Sequence, residues 1–211
     1  MEIEKLSEAI VEGDVKKVKE LTDKLLSAKI SSDIILNEGL LMGMQKVSTR
    51  FKAKHFCIPE VLLSSRAMQA GFHIIKPLME GDDTIRLPHR VVLGTVAGDL
   101  HDIGKNLVSL MLKSGGFEVI DVGIDVSAEE FFESVKKYQP EILAMSSLLT
   151  TSMAIIPETI RLLKKENYRD KVKIMIGGAP VTKDYARAVG ADGYASDAIH
   201  AVDVALTLVK S

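Results

Sequence analysis

Two hydrophobic periodicities predict an α/β fold, in which an N-terminal four-helix bundle cap precedes a Rossmann-like (flavodoxin-like) five-stranded parallel sheet domain. Up to residue 80 the apolar residues recur at helical spacing, whereas from residue 90 short β-rich runs alternate with helical segments. Strands that alternate with helices form right-handed βαβ units and therefore a parallel sheet. The polar stretch GDDTIRLPHR interrupts both patterns. We therefore predict a helical cap domain at 1–82, a linker at 83–89 and a sheet domain at 90–211.

The bundle is predicted from four amphipathic segments, which are joined by the short connections typical of helical bundles. In chain order they are EIEKLSEAIVEG, VKKVKELTDKLLSAK, SSDIILNEGLLMGMQKVSTRFKAK and PEVLLSSRAMQAGFHIIKPLME. Gly13 is placed to end the first helix and Asp14 to cap the second. One of the polar residues 31–33 caps the third helix, and Pro59 suits the first turn of the fourth.

Five β-rich runs are predicted as the strands of the sheet. They are RVVLGTVAG, FEVIDVG, EILAMSS, VKIMIGG and DGYAS. The helices that follow them are predicted in GKNLVSLMLKSG, SAEEFFESVKKY, MAIIPETIRLLKKE, TKDYARAVG and DAIHAVDVALTLVK. In parallel sheets of this kind, ligands bind outside the carboxyl ends of the strands. We therefore expect a ligand-binding site at the carboxyl ends of these strands.

Composition argues against several classes of protein. Hydrophobic residues make up 46% and charged residues 27%, which is an ordinary globular balance. The net charge of −2 and the scattered Lys and Arg residues provide no basic field, so we expect no nucleic-acid partner. Cys57 is the single cysteine, so a reducing, cytoplasmic setting is expected. No apolar run approaches the roughly 20 residues that cross a bilayer, so we expect no membrane partner.

The motif AGDLHDIGKN directly follows the first predicted strand and has more than one interpretation. Asp99 could cap the helix that begins near Gly104, a role that stabilises a helix by about 1 kcal/mol, with His101 in solvent. The string LHDIGK is also typical of HD-domain metal phosphohydrolases, in which a His-Asp pair binds metal and helps to activate water. That class is all-helical and needs further His and Asp ligands, whereas the other histidines here show no matching spacing. Lys105 either hydrogen-bonds at a ligand or is solvated.

Two further motifs favour a third interpretation. Ser146-Ser147-Leu148 ends the third strand and Gly177-Gly178 ends the fourth, after the Asp-x-His-x-x-Gly motif that ends the first. Together these motifs resemble the cobalamin-binding signature of the corrinoid proteins of anaerobic methyltransferase systems. Those proteins include the methanol-, methylamine- and methoxyarene-type methyl carriers, and they are similar to the cap and cobalamin-binding domains of methionine synthase. The segment FCIPEVLLSSRAMQAG resembles the last helix of that cap, so the resemblance covers nearly the whole chain.

The resemblance implies a cofactor and a set of site residues. The cofactor is a cobalamin (methylcobalamin or Co(I) corrinoid), and His101 replaces the cofactor's own base as the cobalt ligand. Asp99 holds the other nitrogen of that imidazole, and Ser152 completes a relay that takes up or releases a proton. Cofactor binding is implied for Asp99, His101, Asp102, Gly104, Ser146, Leu148, Gly177, Gly178, Gly193, Tyr194 and Ala195. The glycines at 104, 177 and 178 leave room for the nucleotide tail, and residues 193–195 line the pocket for its base.

The resemblance also implies a function and its partners. The chain is expected to be a methyl carrier, not a complete enzyme alone, that shuttles a methyl group from a substrate-specific methyltransferase to an acceptor methyltransferase. The acceptor is tetrahydrofolate or a thiol coenzyme, and a reductive activating protein is a third expected partner. The cap must move to expose the cofactor, which predicts a hinge within 81–89. In the cap, Met42, Met44, Leu62, Leu63 and Met68 either shield the corrin or belong to the bundle core.

Three alternatives remain open from the residues. A cobalamin-dependent sensor would share both domains but needs a DNA-binding module with a basic face. A mutase-type cobalamin subunit would share the sheet domain without the helical cap. The HD-type phosphohydrolase is the remote alternative, and it predicts phosphatase activity with a divalent metal.

Overall fold

The computed structural model describes residues 2–79 and 89–210, and its contacts separate two units. Among the described residues, the first unit contains 2–79 together with 113–116, and the second contains the others from 89 to 210. Of the predicted linker, only His89 is among the described residues, and the predicted hinge otherwise lies outside them as well. No helix within the described ranges combines the length and apolar character of a bilayer-spanning segment.

The first unit contains all four predicted helical segments. Its α-helices are α1 (Glu2–Glu12), α2 (Val15–Ser27), α3 (Ser32–Ile34), α4 (Met42–Lys52) and α5 (Ile58–Met79). The π-helical turn Ile35–Leu41 joins α3 to α4, so residues 32–52 form one continuous helical segment. Asp14 caps α2 by accepting the Lys17 backbone N–H at 3.0 Å, and Ser31 caps α3. The sequence signals therefore place the helix starts correctly, but the π-helical turn has no counterpart in them.

Two glycines in the third helical segment let α1 pack closely against it. A Cβ atom on Gly39 would lie 2.6 Å from Leu6 Cδ2, and one on Gly43 would lie 2.7 Å from Ile10 Cβ. Leu6 and Ile10 are fully buried. Larger residues at 39 and 43 would therefore push α1 away and open the core of the bundle.

The second unit is a parallel sheet of five strands. They are β1 (Arg90–Val96), β2 (Glu118–Val126), β3 (Ile142–Ser146), β4 (Lys173–Gly177) and β5 (Gly193–Ala195). Their order in the sheet is β2-β1-β3-β4-β5, and each neighbouring pair is parallel. The helices are α6 (Ile103–Ser114), α7 (Ala128–Tyr138), α8 (Ile155–Lys165), α9 (Lys183–Val189) and α10 (Ala198–Leu208). The predicted flavodoxin-like fold is confirmed.

The centre of this sheet is covered on both faces, which explains why its strands are nearly continuous apolar runs. Val92, Leu143 and Ile174 on the three central strands are fully buried. On one face Phe131 of α7 packs over Gly94, where a Cβ atom would lie 2.8 Å from the phenyl ring. The chain leaves β1 toward β2 on one side and the later strands lie on the other, so β1 and β3 flank the topological switch point. The fold therefore opens a crevice beyond the carboxyl ends of β1 and β3.

Candidate functional site

Asp99 and His101 form a hydrogen-bonded pair in the loop that follows β1. The Asp99 side chain is fully buried, whereas 54% of the His101 side chain is exposed. Asp99 Oδ1 accepts the His101 backbone N–H at 3.0 Å and lies 2.6 Å from His101 Nδ1. Because Nδ1 donates its proton to the carboxylate, Nε2 is the ring nitrogen that keeps a lone pair. The pair thus presents one ligand nitrogen in a defined tautomer at the carboxyl edge of the sheet.

The second oxygen of Asp99 binds the loop that follows β3. Oδ2 accepts the backbone N–H of Leu148 at 2.6 Å and that of Leu149 at 3.3 Å. Burial raises the pKa of Asp99, but the hydrogen bonds from the backbone of His101 and Leu148 outweigh that effect and hold the pKa below its ordinary value. Asp99 therefore does not act as the helix cap that was one interpretation of the sequence. The carboxylate instead joins the loops after β1 and β3.

Ser152 lies on the far side of the same carboxylate. Its hydroxyl is 3.4 Å from Asp99 Oδ2, 2.8 Å from the Ser147 hydroxyl and 2.9 Å from the Leu149 carbonyl oxygen. Both serines are buried. A hydroxyl has one proton, so at any moment Ser152 donates to one of three acceptors: Asp99 Oδ2, the Leu149 carbonyl oxygen or the Ser147 hydroxyl. The structure therefore brings the three predicted relay residues together in the order His101, Asp99, Ser152.

A cavity of about 370 Å³ lies beside His101, at the carboxyl ends of β1, β3 and β4. Its lining is largely apolar, and the predicted residues that reach it are His101, Gly104, Ser146, Leu148, Gly177, Gly178 and Ala195. Gly193 and Tyr194 do not line it but border a second cavity, which lies between α9 and α10. The prediction that residues 193–195 line one pocket is therefore met by Ala195 alone, which lines the cavity beside His101. Asp102 is exposed beside the cavity and accepts the Asn106 side-chain amide at 3.1 Å.

The three predicted glycines differ in what keeps them free of a side chain. Gly178 has φ +124°, and a Cβ atom there would lie 1.8 Å from the Ser147 carbonyl oxygen. A Cβ atom on Gly177 would lie 2.8 Å from the Ala195 carbonyl oxygen. A Cβ atom on Gly104 would meet no protein atom within 4 Å. The fold therefore demands glycine at 178 and favours it at 177, whereas glycine at 104 only leaves space in the cavity.

Four large apolar side chains around the histidine are exposed. Leu100 and Ile103 flank His101 along the chain, and Leu148 and Leu149 belong to the loop that Asp99 binds. Ile103 is 84% exposed and Leu100 is 70% exposed. Exposed apolar side chains grouped beside a cavity mark a surface that binds a ligand or a partner. This group, residues 100, 103, 148 and 149, is called the apolar rim below.

Several residues that support the site were not among the predicted site residues. The buried Thr95 hydroxyl donates to the His101 carbonyl oxygen at 2.9 Å, and Asp125 accepts the Gly98 backbone N–H at 2.7 Å. Asp197 caps α10 and lines the cavity. Thr95 could have been found from the sequence, because a hydroxyl inside a buried strand requires a hydrogen-bond partner. Asp125 is distant in sequence, so its contact with Gly98 depends on the pairing of β2 with β1.

In the cap, the five apolar candidates separate into two groups. Met44 and Met68 are buried in the core of the bundle. Met42, Leu62 and Leu63 are between 44% and 53% exposed. The first pair therefore belongs to the bundle core, and the other three remain candidates for the predicted shielding surface.

The motif's position does not suit the HD-type phosphohydrolase. That class is all-helical, whereas His101 and Asp102 here lie between β1 and α6 of a parallel α/β unit. Within residues 2–79 and 89–210, no three His, Cys, Asp or Glu side chains are grouped as a metal site.

Comparison with known proteins gives matches to both units. Residues 89–203 match a family model described as a B12 binding domain, and residues 2–76 match a second model of the same description. The chain is 41% identical over 208 residues to the dimethylamine corrinoid protein of Methanosarcina barkeri, with coverage of 98% of this chain and 97% of the relative.

Two solved structures extend these matches. A cobalamin-binding protein from Desulfitobacterium hafniense DCB-2 is 31% identical, with a TM-score of 0.75 and 98% coverage of each chain. The methanol:cobalamin methyltransferase complex from Methanosarcina barkeri contains a chain that is 29% identical, with a TM-score of 0.87. That match covers 100% of this chain and 80% of the other.

Proposed function

We propose that the chain is a corrinoid methyl carrier, because it belongs to the family of B12-binding corrinoid proteins. The observation that carries the proposal is the geometry of His101, which is held by a buried carboxylate on Nδ1 and keeps Nε2 available beside a cavity. When bound, a corrinoid supplies a cobalt centre that can accept and release a methyl group. The protein supplies ligation, orientation and access.

The residues of the site fit such a cofactor. Neutral imidazole is a suitable ligand for cobalt, and the Asp99 carboxylate on its second nitrogen is the usual arrangement of a ligand histidine. The cavity offers about 370 Å³ with apolar walls, and Gly104 adds open space at its mouth. We propose that the nucleotide tail occupies this cavity, with Ser146, Gly177 and Gly178 along it. The apolar rim, which lies beside His101, would then contact the bound corrinoid.

Asp99 and Ser152 are proposed to manage the proton of the ligand. Nδ1 donates to an Asp99 carboxylate whose pKa is held below its ordinary value, and this would leave Nε2 free to hold the metal. If cobalt were not bound at Nε2, that nitrogen could hold a proton instead, and the negative charge of Asp99 beside the ring would favour this. Ser152 can turn its single proton toward Asp99 Oδ2 or toward Leu149, which adjusts how much negative charge the imidazole meets. The relay therefore couples ligation to the protonation of His101.

We propose three protein partners: a substrate-specific methyltransferase, an acceptor methyltransferase that uses tetrahydrofolate or a thiol coenzyme, and a reductive activating protein. Support for the first comes from relatives named for dimethylamine and for a methanol:cobalamin methyltransferase complex. Methylamines and methanol are therefore the first donors to assay. A purified methyltransferase for either donor, incubated with that donor and with the chain loaded with reduced, unmethylated corrinoid, should transfer the donor's methyl group to the chain.

The test is the visible absorption spectrum of the chain loaded with methylcobalamin, compared between wild type and His101→Ala. The wild type should show a histidine-ligated spectrum and the variant an unligated one. The control is His73→Ala, because His73 is an exposed histidine on α5. If the wild type retains no corrinoid under anaerobic, reducing conditions, or if His101→Ala stays histidine-ligated, the proposal is wrong. Phosphatase assays with divalent metals would then follow.

A further inference from the structure

Strand β2 lies at the edge of the sheet and carries two aspartates, Asp121 and Asp125, that have no part in the relay. Asp125 accepts the Gly98 backbone N–H at 2.7 Å, and its own N–H donates to the Asp99 carbonyl oxygen at 3.2 Å. Next to it, the Ala97 N–H donates to the Val126 carbonyl oxygen at 2.8 Å. Three hydrogen bonds therefore tie residues 97–99 to the end of β2, and the last of these residues is two positions before His101.

The backbone of Asp125 shows that this contact constrains the chain. Asp125 has φ +56°, in the left-handed region that residues other than glycine seldom occupy. Aspartate tolerates this region better than most residues, but the conformation persists only where surrounding contacts enforce it. Residues held this way cluster at functional sites. At 125 the enforcing contacts are those with Gly98 and Asp99.

The second aspartate, Asp121, forms an ion pair with Lys105, which follows His101 in the chain. The Lys105 side chain is only 4% exposed, and its ammonium forms an ion pair with Asp121 and donates to Asn106 Oδ1 at 2.9 Å. The Asn106 amide in turn donates to Asp102 Oδ2 at 3.1 Å. A buried ammonium needs a counter-charge, so Asp121 fixes Lys105 and with it the first turn of α6.

His101 lies between these two attachments, which leads to one inference. We propose that β2 is the positioning element of the cobalt ligand: Asp125 fixes the stretch before His101, and Asp121 through Lys105 fixes the stretch after it. The inference rests on the proposed role of His101. Asp121 and Asp125 are positioning residues, since they contact neither the cavity nor the imidazole. They restrict where Nε2 can lie, which lowers the cost of forming the metal bond.

The decisive comparison is a series of variants at 125 in the full-length chain. Asp125→Ala removes the acceptor for Gly98. Asp125→Asn keeps a side-chain oxygen and tolerates the left-handed backbone. Asp125→Gly relieves the backbone but offers no acceptor. The matched control is Asn167→Ala, because Asn167 has φ +60° in the same unit and lies outside the site.

Two readouts separate positioning from general stability. The first is the ratio of histidine-ligated to unligated methylcobalamin in the absorption spectrum of the loaded protein. We expect this ratio to fall about tenfold in Asp125→Ala and in Asp125→Gly, and to stay near the wild-type value in Asp125→Asn and Asn167→Ala. The second is amide hydrogen exchange at Gly98 and His101 in the corrinoid-free protein, which we expect to accelerate in the same two variants.

The two attachments also predict a coupled effect. Asp125→Ala and Asp121→Asn act on one stretch of chain, so the double variant should lose less ligation than the product of the two single losses. Wild-type ligation in folded Asp125→Ala, or equal loss in Asp125→Asn and Asp125→Ala, would overturn the inference. If the wild type binds no corrinoid, the methyl-carrier proposal fails instead. The exchange rates at Gly98 and His101 still decide whether β2 fixes the segment.

Discussion

The two walls of the cavity are built by opposite means. On one wall, the loop after β1 holds His101 through hydrogen bonds from Thr95 and to the Asp99 carboxylate. On the other, at the end of β4, Gly177 and Gly178 contribute mainly by lacking side chains where backbone from neighbouring strands lies within contact distance. The first wall depends on polar groups that are satisfied, and the second on space that stays empty. Substitutions at the first wall should therefore leave polar groups unpaired, whereas substitutions at the second should cause steric overlap.

Gly178→Ala should have the largest effect on folding. The new Cβ atom would overlap the Ser147 carbonyl oxygen, and φ +124° is open almost only to glycine. Strain and overpacking together should lower the free energy of unfolding by about 4 kcal/mol. Urea denaturation of the corrinoid-free protein measures this loss.

The comparison for this variant is Gly190→Ala. Gly190 also has a positive φ, but no atom lies within 4 Å of the position that the new methyl group would take. Its loss should therefore reflect backbone strain without overlap. Equal losses at 178 and 190 would contradict the steric argument.

Asp99→Ala should have the next largest effect, at the hydrogen-bonded wall. It removes the acceptor of the His101, Leu148 and Leu149 backbone N–H groups, and buried donors left unpaired cost about 1 to 3 kcal/mol each. Since part of this stretch can reach water, we expect a loss of about 3 kcal/mol in the free energy of unfolding and loss of histidine ligation. Asp184→Ala is the control, because that carboxylate is 94% exposed. A loss below about 1 kcal/mol would mean that Asp99 does not join the two loops.

Gly104→Leu tests whether the cavity needs the open space at residue 104, because this substitution should not strain the fold. No protein atom lies near its Cβ position, so the corrinoid-free protein should unfold at the wild-type urea concentration or slightly above it, since leucine is the better helix former. The side chain would fill the mouth of the cavity and weaken corrinoid binding by at least about tenfold, which is about 1.4 kcal/mol. Equilibrium titration with methylcobalamin measures the change. Unchanged affinity would show that the nucleotide tail does not pass Gly104.

Substitution of Asp197 should have the smallest effect on the free energy of unfolding, and this effect should depend on pH. The backbone N–H of His200 lowers the pKa of Asp197, and this outweighs the partial burial that raises it. A lowered folded-state pKa means that the stabilisation is present above the unfolded value of about 3.9 and is lost as pH falls through the folded value. Asp197→Ala should therefore lose about 1 kcal/mol at pH 7 and less than that below pH ~4.

The control at this position is Asp197→Asn, which keeps a capping oxygen without a titrating group. Its difference from the wild type should be small at pH 7. Urea denaturation at several pH values between about 7 and 3 provides both curves. A difference between wild type and Asp197→Ala that grows as pH falls would contradict the sign of the pKa shift.

Much of the fold could be predicted because the relevant signals are local. The change from helical to alternating periodicity near residue 90 predicted both units, and polar residues such as Asp14 marked the helix starts. The π-helical turn Ile35–Leu41 could not be predicted, because the apolar spacing of this segment fits a continuous α-helix. Nor could the sequence distinguish Met44, which is buried, from Met42, which is exposed. Apolar residues alone do not indicate which side of a helix another helix will cover.

The sequence by itself determined the parallel sheet, the position of the motif at a strand end and the pair Asp99 and His101, because these depend on neighbours along the chain. Ser152 was expected beside Asp99 from the family resemblance, but only the tertiary structure decided which other distant groups complete the site: the backbone of Leu148 and Leu149 at Asp99, and Asp125 at Gly98. It also separated Gly104 from Gly178, since one position faces open space and the other faces backbone. The physical reason is that a hydrogen bond or a steric clash depends on distances across strands, and strand order and register set those distances.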